Sequence, residues 1–233
     1  MKRRPRWRAY ILLARVSNLP TVWTNVLAGT VVSGAAVEWP RLAAVSLAVS
    51  LLYTAGMFLN DVCDHRFDAE FRPDRPIPAG DVTRREALVT GVLLMLLGGV
   101  ALGWGAGQRG AIGWASLLAA SIVYYDYRHK RDRFGPLAMG VCRGLVYCVA
   151  AAASAQVTGL VLCAAAIMAA YVAGLTVVAK RLGRRARSVV PYLIAGISLV
   201  DAAVVATAAP ALALLAALGF IFTLAFQRFV PGD

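Results

Sequence analysis

Eight apolar stretches constrain this chain more than any other feature. They fall at roughly 19–37, 41–59, 86–106, 110–127, 136–155, 158–179, 189–208 and 210–228. A helix needs about 20 mostly apolar residues to cross the ~30 Å hydrocarbon core of a bilayer. Inside that core only helices and closed barrels satisfy every backbone N–H and C=O. Hydrophobic residues make up 60% of the chain and charged residues only 15%, whereas a soluble domain carries about 25% charged residues. The expected fold is therefore all-α: a polytopic transmembrane bundle of about eight helices, with residues 1–233 forming one integral membrane domain. The first block is the weakest, because Asn18, Pro20 and Asn25 interrupt it. The last two are divided only by the stretch ending at Pro210, so a re-entrant hairpin is the alternative there. Gly98, Gly99, Gly103 and Gly107 would let neighbouring backbones approach closely.

The net charge of +12 is a statement about topology. With the N-terminus in the cytoplasm, 21 of the 24 Lys and Arg residues fall on the cytoplasmic side. Arg41 and Arg109 lie opposite, and Arg143 lies inside a span. The positive-inside rule thus predicts a multi-pass protein of the cytoplasmic membrane, with both termini and the charged loops inside. A nucleic-acid partner is excluded, since no soluble basic surface is left to hold one. Residues 1–8, MKRRPRWR, begin like a signal peptide. No small-residue cleavage site follows, so an anchor is expected rather than a cleaved leader. Cys63, Cys142, Cys148 and Cys163 form no C-x-x-C spacing and are expected to be reduced and structural.

The acids do not scatter. Residues 60–68 read N-D-V-C-D-H-R-F-D. If the second helix runs on past Asn60, then Asp61, Asp64 and Asp68 fall within an arc of about 60°, which Asn60 widens to about 100°. Like charges at these offsets destabilise a helix. A bound cation removes that cost. Carboxylate and amide oxygens are hard ligands suited to Mg²⁺, which uses one or two carboxylates and completes its shell with water and substrate phosphate. Asn60, Asp61, Asp64 and Asp68 are accordingly the candidate metal ligands, with Asp61 and Asp64 central to any chemistry. The next segment, A-E-F-R-P-D-R-P-I-P-A-G, offers Arg72 and Arg75 to phosphate oxygens and is stiffened by its prolines. A rigid cytoplasmic loop with helix-capping acids is the plainer reading.

N-D-x-x-D-x-x-x-D at the end of a second span, followed by R-P-x-R-P-I-P-x-G, resembles the UbiA superfamily of intramembrane prenyltransferases. L-A-R-V-S-N-L-P-T before the first span fits the same likeness. The resemblance implies a bundle around a central cavity open to lipid. It implies an isoprenoid diphosphate bound through Mg²⁺, ionised at its allylic C–O bond, and captured by a hydrophobic acceptor, aromatic or otherwise. After the fourth span, Tyr127 and Lys130 match the family's Tyr-x-x-Lys element. On that likeness Lys130 and Arg131 contact phosphate, and Tyr127 steadies a carbocation through its ring face. Interfacial tyrosines on a basic loop are the plainer alternative. His65 and His129 are expected to be solvated. G-P-L-A-M-G-V-C-R-G-L, residues 135–145, resembles a compact EboC-like branch of the superfamily.

One departure stands out. Where most members carry a second D-x-x-x-D, this chain reads A-K-R-L-G-R-R-A-R at 179–187, with no acid. Asp126 and Asp132 are the nearest acids, in another loop. A catalytically silent lipid-binding or transport-accessory protein on the same scaffold is therefore the alternative function. Arg143 and Asp201 are lone charges in apolar helices and should face the interior. They form either an ion pair between two helices or contacts to substrate and acceptor. Arg15 and Asn18 either line the cavity as substrate contacts or anchor at headgroup level.

Overall fold

The computed structural model describes residues 4–105, 109–128, 133–182 and 186–232. Among them are ten α-helices: α1 (Arg6–Ala14), α2 (Leu19–Val32), α3 (Trp39–Phe71), α4 (Arg84–Gly105), α5 (Arg109–Arg128), α6 (Gly135–Ser154), α7 (Gly159–Leu182), α8 (Ala186–Ala195), α9 (Ile197–Ala206) and α10 (Pro210–Gln227). A 3₁₀ turn, Val16–Asn18, joins α1 to α2. Each of the eight apolar blocks contributes a helix among the described residues. Among the described residues, six segments are long and apolar enough to cross a membrane: α3, α4, α6, α7, the α8–α9 pair from Ser188 to Ala206, and α10.

Three blocks differ from the expected pattern of eight spans, and one of them, the fourth, is helical as α5 but is not among the six. The first was expected over 19–37, but α2 stops at Val32 and has only 14 residues. At 1.5 Å per residue it is about 21 Å long, too short to cross alone. Twelve of its residues are buried, so protein surrounds it and lipid does not. The seventh block, expected as one helix over 189–208, breaks at Gly196. Pro191 removes an amide donor inside α8. The Tyr171 hydroxyl inserts beside Gly196 and donates to the Leu193 carbonyl at 2.8 Å.

The helices pack as two half-bundles that share a spine. One cluster joins α2, α3, α4, α5 and α6 through Val26, Val49, Leu52, Leu102, Leu118 and Val149. The other joins α2, α6, α7, α9 and α10 through Leu27, Tyr147, Met168, Ile197 and Ala216. Both contain α2 and α6. Gly29 of α2 lets these two backbones meet, since a Cβ there would overlap the Tyr147 carbonyl. The outer faces stay apolar. Leu93, Leu96, Leu97 and Val100 of α4 are exposed, as residues facing hydrocarbon should be.

At one end of the bundle α3 runs on through the acidic stretch to the Pro-rich loop. Its 33 residues span about 50 Å, well over the ~30 Å of a bilayer core. Pro73 ends it, and Arg72 leaves the helical region at φ −145° and ψ 57°. Gly80 turns the following loop at φ +75°. Thr83 and Glu86 then form a capping box that opens α4, through Thr83 N–H to Glu86 at 2.9 Å and Glu86 N–H to Thr83 Oγ1 at 3.1 Å. The N-terminal α1 lies against this end, burying Ala9 and Leu13 with Phe58, Val62, Ile77 and Val82.

Candidate active site

Because α3 continues past Asn60, its acids line up on one face. Asn60, Asp61, Asp64 and Asp68 are all buried, Asp68 to 1% exposure. Arginines from two other elements clamp the stripe. Arg15 Nη2 donates to Asp61 Oδ1 at 3.1 Å. Arg75 Nη1 donates to the same oxygen at 3.0 Å and to Asp68 Oδ2 at 3.2 Å. Arg15 caps α1 with φ 45° and ψ 49°. A non-glycine residue reaches that left-handed region only at a cost of about 1–2 kcal/mol, and here the turn aims the guanidinium at Asp61. The Pro-rich loop does the same for Arg75. Burial, then the neighbouring Arg15, pulls the Arg75 guanidinium below its usual value, and Asp61 and Asp68 oppose that shift.

On the facing helix α5, Asp126 is buried and accepts a hydrogen bond from Asn60 Nδ2 at 3.3 Å. Asp126 also lines a narrow cavity of about 60 Å³ between α2, α3, α5 and α6. Tyr53, Met57, Tyr125 and Arg143 share that wall, and most of the remainder is aliphatic. The acidic stripe therefore stands beside an apolar hollow. All its candidate ligands are hard oxygen donors, which fits Mg²⁺ rather than a soft metal. Among the described residues no three His, Cys, Asp or Glu converge on one point. An ion that takes one or two protein carboxylates, with the rest of its shell from water and phosphate, does not require such convergence.

A second polar cluster lies among α2, α6 and α9. Arg143 donates to Asn25 Oδ1 and to Thr21 Oγ1, both at 3.0 Å. The Asn25 amide nitrogen donates to both oxygens of Asp201 at 2.8 Å. Thr24 Oγ1 donates to Asp201 at 2.6 Å, and the Tyr147 hydroxyl donates to it as well. Arg143 and Asp201 thus belong to one network but are not in contact, because Asn25 stands between them. The direct ion pair that the sequence offered as one reading is therefore not formed.

The other expected site residues are placed as follows. Asn18 is buried, and its amide nitrogen donates to the Tyr53 hydroxyl at 3.2 Å and to the Gly232 carbonyl at 2.8 Å. Arg72 is exposed at the loop rim. Tyr127 is 70% exposed, away from the cavity, where Tyr125 of the same helix lines it instead. Lys130 and Arg131, with His129 and Asp132, lie outside the described residues. Sequence reasoning missed Tyr53, Tyr125 and Tyr147 and the roles of Thr21 and Thr24. A signal existed for the threonines. Asn18, Thr21 and Asn25 recur at helical spacing through an otherwise apolar segment, which marks a polar stripe facing protein. The tyrosines gave none, since aromatic residues are ordinary in such helices.

Known proteins share this architecture. The model of the UbiA prenyltransferase family matches residues 19–231. Digeranylgeranylglyceryl phosphate synthase of Methanopyrus kandleri is 32% identical over 126 residues, covering 53% of this chain and 44% of that protein. The 4-hydroxybenzoate octaprenyltransferase of Pectobacterium carotovorum subsp. carotovorum is 34% identical over 102 residues, covering 40% of this chain and 34% of its own length. The chain spans less than half the length of these curated relatives. In fold it is similar to a UbiA homolog from Aeropyrum pernix K1, with a TM-score of 0.60 at 18% identity, covering 94% of this chain and 95% of that one. An all-helical multi-pass bundle with an acidic stripe beside an apolar hollow, matched over nearly its whole length, belongs to the UbiA prenyltransferase family.

Proposed function

We propose that the protein transfers an isoprenoid group from a prenyl diphosphate to a hydrophobic acceptor at the cytoplasmic face of the cell membrane. The observation that carries this reading is the buried stripe Asp61–Asp64–Asp68, clamped by Arg15 and Arg75 beside an apolar cavity. Asn60, Asp61, Asp64 and Asp68 are the residues that would hold Mg²⁺. Bound there, the ion would neutralise charge building on the departing diphosphate. Arg15 and Arg75 can turn from the aspartates to phosphate oxygens, to which a guanidinium bonds in bidentate fashion. Arg72 at the rim is a further phosphate contact, and Lys130 and Arg131 are proposed in the same role. The aliphatic wall keeps water from an allylic cation. Tyr125 and Tyr53 present rings to the same space, and Tyr127 would join them only if the end of α5 rotates.

The test is turnover. The purified chain in nonionic detergent, given Mg²⁺, labelled geranylgeranyl diphosphate and a panel of acceptors, should yield a prenylated product identified by mass. Asp61→Ala and Asp64→Ala should each lower the rate on the order of 100-fold or more. Full activity in both variants would end the proposal. The acid-free stretch at 179–187 favours a second reading, that of a non-catalytic lipid-binding protein. That protein would bind the labelled diphosphate saturably and form no product.

A further inference from the structure

The seam between α5 and α6 has two sides. Its inner side lines the central cavity through Leu118, Ile122, Met139 and Val146. Its outer side holds a groove of about 430 Å³ that has no part in the proposed transfer. Ala120 and Ala138 keep it open because they are small, and Leu137, Val141, Tyr124 and Phe134 give it an apolar lining. These four larger side chains are exposed, Leu137 to 55%. The groove is polarised along its length. From Phe134 to Val141 it runs about 10 Å beside α6, and its deep end is aliphatic. At the other end stand aromatic rings and two cations. The Arg133 guanidinium lies 4.9 Å from the Phe134 ring centroid. Arg128 follows Tyr124 by four residues, about one turn of α5. Both arginines are exposed, and among the described residues neither forms an ion pair. Asp126, between Tyr124 and Arg128, meets Asn60 and so sets this cationic end level with the acidic stripe.

We infer that this groove binds one anionic phospholipid, with an acyl chain along Leu137 and Val141 and its headgroup on Arg128 and Arg133. The order of groups along the groove, cation, then aromatic ring, then aliphatic side chain, is that of a lipid read from headgroup to tail. Aromatic rings favour the depth where headgroup meets hydrocarbon, and basic side chains just beyond it attract anionic lipid. Charge decides against other occupants. A second copy of the chain, or another apolar helix, would cover the aliphatic part and leave both guanidiniums without a counter-charge. A soluble anion would satisfy the guanidiniums and leave the aliphatic part empty. The bound lipid also serves α5. That helix is not among the six segments apolar enough to cross a membrane, and a lipid seated on its outer face shields it.

The experiment is native mass spectrometry of the purified chain in nonionic detergent, titrated with phosphatidylglycerol or with phosphatidylcholine of the same acyl chains. Each basic side chain near the membrane surface strengthens binding of anionic lipid roughly fivefold. One phosphatidylglycerol should therefore bind about tenfold or more tightly than phosphatidylcholine. Arg128→Gln combined with Arg133→Gln should lose that preference and still bind phosphatidylcholine as before. Ala138→Phe fills the groove and should lose the tightly held phosphatidylglycerol although both arginines remain. Glycerol phosphate, a headgroup without chains, should not displace the lipid. Equal retention of the two lipids by the wild-type chain overturns the inference. So does a folded double variant that keeps the preference, which would place the lipid elsewhere on the basic face. So does a dimer that Ala138→Phe dissociates, which would make the groove an interface between copies. A phosphatidylglycerol with a photoreactive diazirine in its acyl chain locates the lipid on the wild-type chain, whether or not the variants fold. Its crosslinks should map to residues 120–141, and crosslinks confined to other helices overturn the inference.

Discussion

Arg15 occupies a backbone conformation that most side chains avoid, and it does so to bring a guanidinium onto Asp61. The strain and the ion pair can be separated by mutation. Arg15→Ala and Arg15→Gly both delete the guanidinium, but glycine adopts φ 45° without steric penalty. Arg15→Gly should therefore be the more stable of the two by about 1 kcal/mol, read as the higher midpoint of thermal unfolding in detergent. Equal midpoints would mean that the turn relaxes when the side chain is lost. Asp61 carries two buried hydrogen bonds from cations. Its removal leaves both guanidiniums without that partner, so Asp61→Ala should also cost about 3 kcal/mol in stability. A smaller loss in the presence of Mg²⁺ is not expected, since the ligand itself has gone.

At the scale of elements, α2 is too short to span a bilayer and is held instead by what it touches. Its polar stripe ties it to α6 and α9 through Asp201. Hydrogen bonds between helices in a membrane contribute about 0.6 kcal/mol on average and at most about 1.7. Tyr147→Phe should therefore lower stability by no more than about 1–2 kcal/mol. Asp201→Ala removes the acceptor for three groups at once, Asn25, Thr24 and Tyr147. Each buried polar group left unsatisfied costs about 1–3 kcal/mol, so this variant should lose at least twice as much as Tyr147→Phe. Chemical unfolding of both proteins in detergent decides the comparison. Similar losses would show that Tyr147 carries most of the network.

For the whole molecule, charge and geometry agree on a polarity across the membrane. The aspartate stripe, the Pro-rich loop and α1 gather at one end, and the 33–38 turn lies at the other end of the α2–α3 pair. If the basic end is cytoplasmic, a cysteine at position 36 should react with an impermeant maleimide in intact cells. One at position 74 should react only after permeabilisation. Both substitutions, Ala36→Cys and Asp74→Cys, would be made in a chain with its four native cysteines replaced. The opposite pattern overturns the orientation and places the site outside.

The sequence by itself determined the class of fold, because bilayer thickness is a fixed length and a chain either supplies apolar segments of that length or does not. It also determined the acidic stripe, because aspartates spaced three and four residues apart share a face once the helix continues. What it could not decide is which residues meet across helices. Asp126 was one acid in a basic loop until packing of α3 against α5 set it on Asn60. Arg143 and Asp201 stood as two lone charges until α2 brought Asn25 between them. The short α2 and the break at Gly196 depend on neighbours too, on burial by surrounding helices and on the Tyr171 hydroxyl. Such contacts depend on packing between residues far apart in the chain, and local pattern carries no record of it.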